Sequence, residues 1–168
     1  MFDSIRPLND AELPEAMRQI AASPMLEPIA RFLYPNEAPA AVAERLCALK
    51  DIHTMQDTVM RAAIDHILAT TVTDFTHSGT DMLLPSRPYL FISNHRDITL
   101  DAFLLQYLLF EYNELFITFG ANLMQDPIIT LIGRANLMFR VERGGTPKEF
   151  YRNMLQVSQY IRQVIVGD

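Results

Sequence analysis

Two kinds of apolar pattern follow one another along the chain, and the change between them falls near residue 71. In the first part apolar residues recur every three or four positions. Residues 10–33 hold two short stretches of this kind, with Asn9 or Asp10 placed to cap the first and Ser23-Pro24 opening the second. Tyr34-Pro35-Asn36-Glu37 is a turn, and 38–49 is Ala-rich and helical. The clearest stripe runs through 51–70, where Ile52, Met55, Val59, Ala63 and Ile67 share a face that Met60, Ile64 and Leu68 widen. The spacing predicts an all-helical N-terminal region over residues 1–71.

Beyond it the apolar runs are short, rich in aromatic or β-branched residues, and closed by turns. Segments 72–76 and, more weakly, 82–84 have this form. Tyr89-Leu90-Phe91-Ile92 follows Pro85 and Pro88 and runs straight into Ser93-Asn94-His95-Arg96-Asp97. Further runs are 115–119, closed by Gly120, and 137–141, followed by Glu142-Arg143-Gly144-Gly145. Helical patterns separate them: a Leu-rich segment from about Ile98, a short helix from Pro127 to near Gly133, and a long amphipathic stretch from Pro147. Thr146-Pro147-Lys148-Glu149 has the spacing of a capping box with proline at the first helical position. This alternation predicts an α/β fold over 72–168: a mixed or mostly parallel sheet flanked by helices, with 89–93, 115–119 and 137–141 in one sheet.

Composition narrows the function. A chain of 168 residues, 49% hydrophobic, can bury a real core. Its net charge of −6 argues against a nucleic-acid partner, which calls for a basic patch. Asp101, Gln106 and Glu111 interrupt the most apolar segment, so no bilayer span is predicted. The polar, acidic start Met1-Phe2-Asp3-Ser4 is unlike a signal peptide, and the single Cys47 suits a reducing compartment, so a cytoplasmic location is expected. Cys47 falls in a helical pattern with Val42, Leu46 and Leu49 and reads as a packing thiol. His53 and His66 are too far apart for a metal pair on one helix turn, and His77 has no acid or thiol beside it, so no metal site is expected.

The chemistry concentrates in the turn after 89–93. Carboxyl ends of strands are where α/β folds place reactive groups. A neutral His95 there can take a proton from a hydroxyl, and a carboxylate on its other nitrogen would fix the tautomer and stabilise the imidazolium. Asp101 and Asp97 are both within reach by sequence. The same residues also fit a structural turn in which Asp97 or Thr99 caps the helix and Asp101 faces its dipole. At the end of 137–141, Arg143 with Gly144-Gly145 can bind phosphate through a guanidinium fork and close backbone N–H groups, or form an ordinary solvated glycine turn.

His95-Arg96-Asp97 spells the HRD of protein kinases, but Ala102 stands where the kinase pattern has Asn, and neither a Gly-rich loop nor DFG is present. Ile92-Ser93-Asn94-His95 with Asp101 resembles more closely the first block of the phospholipid/glycerol acyltransferase family, which includes the lysophosphatidic acid acyltransferases. That block is an apolar strand, Asn-His, four residues and Asp; here five residues separate His95 from Asp101. Gly133 and Leu137-Met138-Phe139-Arg140-Val141-Glu142-Arg143 look like the second block, whose Arg contacts the glycerol phosphate. The family's third block has no counterpart, so the resemblance implies a domain over 72–168 that is incomplete at its C-terminal end.

What the resemblance implies is phospholipid synthesis by O-acyl transfer from acyl-CoA or acyl carrier protein to a glycerophosphate or lysophospholipid hydroxyl. His95 would be the base and Asp101 its orienting acid, with Asp97 as the alternative. Substrate contacts would fall on Asn94, Arg96, Arg140, Arg143 and Gly144. No cofactor or metal is implied, and the partners would be a glycerophospholipid acceptor, the acyl donor and a membrane surface met peripherally on its cytoplasmic face. Phe32, Leu33 and Tyr34, together before Pro35, are candidates for that contact or for a plug between the helices and the sheet. The alternative from a different class is a catalytically inactive lipid-binding or protein-interaction module.

Overall fold

The helical stripes of the first part fold as α1 (Leu13–Ala21), α2 (Leu26–Leu33) and α3 (Pro39–Ala48). After them come α4 (Ile52–Met55), a π-helical turn (Gln56–Met60) and α5 (Arg61–Thr71), which follow without a break. These elements belong to a computed structural model that describes residues 2–85, 87–94, 96–98, 100–112 and 114–167. Local chemistry sets the helix ends. The Asn9 side chain accepts from the N–H of Glu12 at 3.1 Å, and the Glu12 carboxylate accepts from the N–H of Asn9 at 3.0 Å, a reciprocal cap ahead of α1. Asp51 caps α4 by accepting from the N–H of Thr54 at 2.7 Å.

The apolar faces of these helices make the main core. Leu13, Met17 and Ile20 of α1 meet Val42 and Leu46 of α3, with Ile52, Met55 and Val59 beside them. Ala135 and Leu137 from the second part join the same cluster, so the helices and the sheet side are packed on one another.

The second part contains α6 (Leu100–Leu109), β1 (Ile117–Gly120), α7 (Pro127–Ala135), β2 (Met138–Val141) and α8 (Pro147–Val166). β1 and β2 pair in parallel, with Ile117 opposite Met138 and Gly120 opposite Val141. A parallel pair needs a crossover, and α7 supplies it. Asp126 starts α7 by accepting from the N–H groups of Ile128 and Ile129 at 2.7 and 3.1 Å. The predicted capping box of Thr146 and Glu149 opens α8. α8 lies against β2 through Tyr160, whose ring meets Phe139 edge-on with centroids 5.3 Å apart. On the other side of β2, the N–H of Arg140 donates to the carbonyl of Ile5 at 2.9 Å.

The sheet is smaller than the sequence pattern predicts: the described residues hold two strands and are mostly helical. Segment 72–76 forms no strand; only Val72 and Phe75 are half-buried, which is not the every-second-residue face a strand buries. Segment 82–84 is displaced by a tight turn: Gly79 at φ +85° leads into a 3-10 turn (Thr80–Met82), leaving Met82 exposed. Segment 89–93 is not a buried strand either. Leu90 is 63% exposed and Ile92 90% exposed. Among the described residues no backbone hydrogen bond ties this run to β1 or β2. An apolar run becomes a strand only where a neighbour completes its ladder, and here it faces a cavity instead. No helix among the described residues is long and apolar enough to cross a membrane.

Candidate active site

Because β1 and β2 run the same way, Gly120 and Val141 finish at one edge and the loops after them lie together. After β1 comes a 3-10 turn (Ala121–Leu123); after β2 come Glu142, Arg143, Gly144 and Gly145. Gly144 and Gly145 have φ of +96° and +88°, left-handed values that let the chain turn at once into α8. Ala121, Asn122, Arg140, Glu142 and Arg143 enclose a polar hollow of about 440 Å³. Asn122 folds back over Gly120, where a Cβ would stand 2.7 Å from its Oδ1. Two arginines reach this hollow with different partners. Arg140 is paired with the Glu142 carboxylate at 2.6 and 2.7 Å. Arg143 is exposed and makes no ion pair among the described residues, so it is the cation available to an anion.

The turn before α6 assigns its two acids different tasks. Asp101 Oδ2 reaches back and accepts from the N–H of Arg96 at 2.5 Å and of Asp97 at 2.9 Å. Asp97 Oδ1 accepts from the N–H of Leu100 at 2.7 Å and so caps the helix. His95, the residue between Asn94 and Arg96, lies outside the described residues, as does Thr99. Asp101 therefore braces the backbone at residues 96 and 97, and Asp97 caps α6.

Between α6, β1, α8 and segment 89–93 lies a mainly apolar cavity of about 1180 Å³. That is above the usual size of a small-molecule pocket and leaves room for a long chain. Ser93 and Asp101 line it from the bracing turn, and Arg143 lines it from the polar hollow. Tyr160 also faces it; burial pushes its phenol up to about 12, so it stays a neutral hydroxyl at ordinary pH. Asn94, Arg96, Asp97 and Gly144 are exposed and line neither space. The predicted residues thus divide: Asp101 and Arg143 share one cavity, Arg140 is held by Glu142, and the others border the site without entering it.

Two features went unpredicted. Asn122 enters the polar hollow from the 3-10 turn after β1, and no local pattern marks it. The second is buried: Gln106 and Asn136 each keep one amide atom, Oε1 and Nδ2, without a hydrogen-bond partner. Each such atom costs about 1–3 kcal/mol. Their one signal in the sequence is Gln106 as a polar break in an apolar helix. No group of His, Cys, Asp and Glu able to hold a metal occurs among the described residues.

The aromatic tip of α2 is split. Tyr34 is tied down, donating from its hydroxyl to the carbonyl of Thr58 at 2.9 Å with Arg45 over its ring. Leu33 packs on the core, and Phe32 alone remains exposed, edge-on to His66.

The family model for acyltransferases matches residues 74–166, more than half of the chain. The chain belongs to the acyltransferase family. No curated protein and no solved structure matches it. The acyltransferase match takes in the bracing turn, both strands, Arg143 and all of α8, so the polar hollow and all of the cavity's lining but Met60 fall inside it. Acyl transfer is the general activity that this membership supports.

Proposed function

We propose that the chain is a glycerolipid O-acyltransferase, moving a fatty acyl group from acyl-CoA or acyl carrier protein to a glycerol-phosphate or lysophospholipid hydroxyl in phospholipid synthesis. One observation carries the reading: Asp101 and Arg143 line the same apolar cavity, and Arg143 also borders the polar hollow. An amphipathic reactant fits that arrangement, with its tail among apolar side chains and its phosphate against Arg143. The glycine turn after Arg143 supplies backbone N–H groups for the same anion.

In this reading His95 accepts the proton of the acceptor hydroxyl. The oxygen attacks the thioester carbonyl carbon, the new C–O ester bond forms, and the C–S bond breaks. The leaving thiolate takes the proton back from the imidazolium, so no covalent enzyme intermediate and no cofactor is needed. Asp101 positions the turn through the N–H groups at 96 and 97, and with it the base. Asn94 and Arg96 flank the entering substrate, and Arg140 holds Glu142 in place beside Arg143. The acceptor's tail resides in a bilayer, so the protein works at a membrane surface, on its cytoplasmic face, through apolar contacts such as Phe32 rather than through its negative net charge.

The test is transfer from a long-chain acyl-CoA to lysophosphatidate in the presence of vesicles. His95→Ala is expected to cut turnover by roughly a hundredfold or more, the scale of a lost general base. Turnover within about twofold of the unaltered protein would exclude His95 as the base. A protein that binds both reactants and transfers nothing would instead be an inactive lipid-binding module.

A further inference from the structure

Gly120 ends β1 in an ordinary extended conformation, φ −63° and ψ 132°, which any residue adopts. Glycine is therefore not needed there for the backbone. What it leaves is space. A Cβ at 120 would meet Asn122 Oδ1 at 2.7 Å, Asn122 Cγ at 3.8 Å and Arg143 Nε at 3.9 Å. The first distance is well inside van der Waals contact. The place of the missing side chain is thus taken by two polar side chains, one from the loop after β1 and one from the loop after β2. Asn122 and Arg143 converge on it, each within 4 Å of one point.

An asparagine in a turn commonly bonds its own backbone. The side chain of Asn122 makes no hydrogen bond among the described residues, and it is exposed. Its Oδ1 is turned to Gly120, while its Nδ2 is no nearer that point than the Arg143 Nε, so the donor end faces away from the strand. Asn122 and Arg143 both line the polar hollow. Glu142 is the only carboxylate among the described residues lining it, and Arg140 holds that group at 2.6 and 2.7 Å. An anion entering the hollow therefore meets a guanidinium and an amide donor side by side.

We propose that Asn122 is a second ligand of the acceptor's phosphate, donating from Nδ2 to one oxygen while Arg143 holds another, and that glycine stands at 120 to seat it. This rests on reading the hollow as the acceptor's phosphate site. A single guanidinium attracts any anion. A neutral donor fixed beside it adds direction and sharpens the preference for a phosphate over an uncharged hydroxyl in the same place.

The measurement is calorimetric binding of octanoyl lysophosphatidate and of octanoylglycerol to the whole protein, with the ratio of their dissociation constants as the readout. Asn122→Ala is expected to lower the preference for the phosphate ligand about tenfold, the scale of one hydrogen bond to a charged group. Asn122→Asp keeps the shape but sets a carboxylate in place of the donor, and is expected to lower it further than Asn122→Ala. Asn122 is exposed, so neither variant disturbs the core. Gly120→Ala places a methyl where the amide sits and should lower the preference as Asn122→Ala does, with the two combined adding less than about twofold. Asn122→Asp that matches the unaltered protein overturns the proposal, and so do fully additive losses in the double variant. An unchanged ratio in Asn122→Ala beside a reduced one in Arg143→Ala removes Asn122 alone. Unchanged ratios in both, or an unaltered protein that shows no preference or binds neither ligand, remove the phosphate reading of the hollow as well.

Discussion

The helical first part and the stretch from residue 89 to α6 treat their apolar residues in opposite ways. Leu13 and Val42 are fully enclosed, in a cluster drawn mainly from Leu8 through Val59 and joined by Ala135 and Leu137. Leu90 and Ile92, no less apolar, stand open beside a cavity. The difference separates scaffold from site. Burial in the helices holds the fold together, while the segment before α6 leaves apolar surface uncovered where a hydrophobic ligand can use it.

Substitutions at the two ends of this contrast should differ most. Leu13→Ala is expected to destabilise by about 2–5 kcal/mol in urea unfolding, whereas Ile92→Ser should stay within about 0.5 kcal/mol. A similar cost at both sites would mean that 89–93 belongs to the core and that the contrast is false. Within the turn itself, Asp101→Asn is expected to lower turnover about tenfold or more, because the amide replaces a charged acceptor of two N–H groups. Asp97→Asn should change turnover by less than about threefold, since asparagine caps a helix as well as aspartate. The reverse order, measured in steady-state assays, would transfer the positioning role to Asp97.

The smallest effect concerns acid. The Arg6 guanidinium bonds both oxygens of Glu12 at 2.7 and 2.8 Å and lowers its carboxyl from 4.5 to about 2. A lowered carboxyl contributes stability above its unfolded value and loses it as pH falls through the folded one. The window therefore runs from about 4.5 down to about 2. The pair is partly exposed and screened, so its share is about 1 kcal/mol or less. Glu12→Gln should flatten that part of the unfolding-versus-pH curve; an unchanged slope would place the acid sensitivity elsewhere.

The helices were legible because their signals are local. A stripe at 3.6-residue spacing and a capping side chain act within one or two turns, and Asn9, Asp51 and Thr146 all appear at helix starts. The strands were half legible. Segments 115–119 and 137–141 overlap β1 and β2 because each found the other, but 89–93, also a short apolar run, has no partner strand among the described residues. Pairing is a property of two segments, and one segment cannot display it. At the site, Asp101 was the first choice of orienting acid and Asp97 the alternative; the Asp101 carboxylate accepts from the N–H groups of Arg96 and Asp97 and the Asp97 carboxylate from that of Leu100, while their partner His95 lies outside the described residues. Arg143 was the first choice of anion ligand and Arg140 the substitute if the register slipped; in the structure Arg140 is paired with Glu142. Asn122 depends on the 3-10 turn after β1 and Asn136 on the link that passes through Leu137, and neither left a pattern to read.

The central claim is that one cavity holds the acyl-bearing tail while Arg143 holds the phosphate at its edge. Steady-state kinetics of Arg143→Ala test it directly, with lysophosphatidate and the corresponding monoacylglycerol as acceptors. The account predicts a KM for lysophosphatidate raised by about tenfold or more, the scale of one charge-assisted bond, with monoacylglycerol little affected and Arg140→Ala milder than Arg143→Ala. Equal losses on both acceptors, or a larger loss in Arg140→Ala, would contradict it.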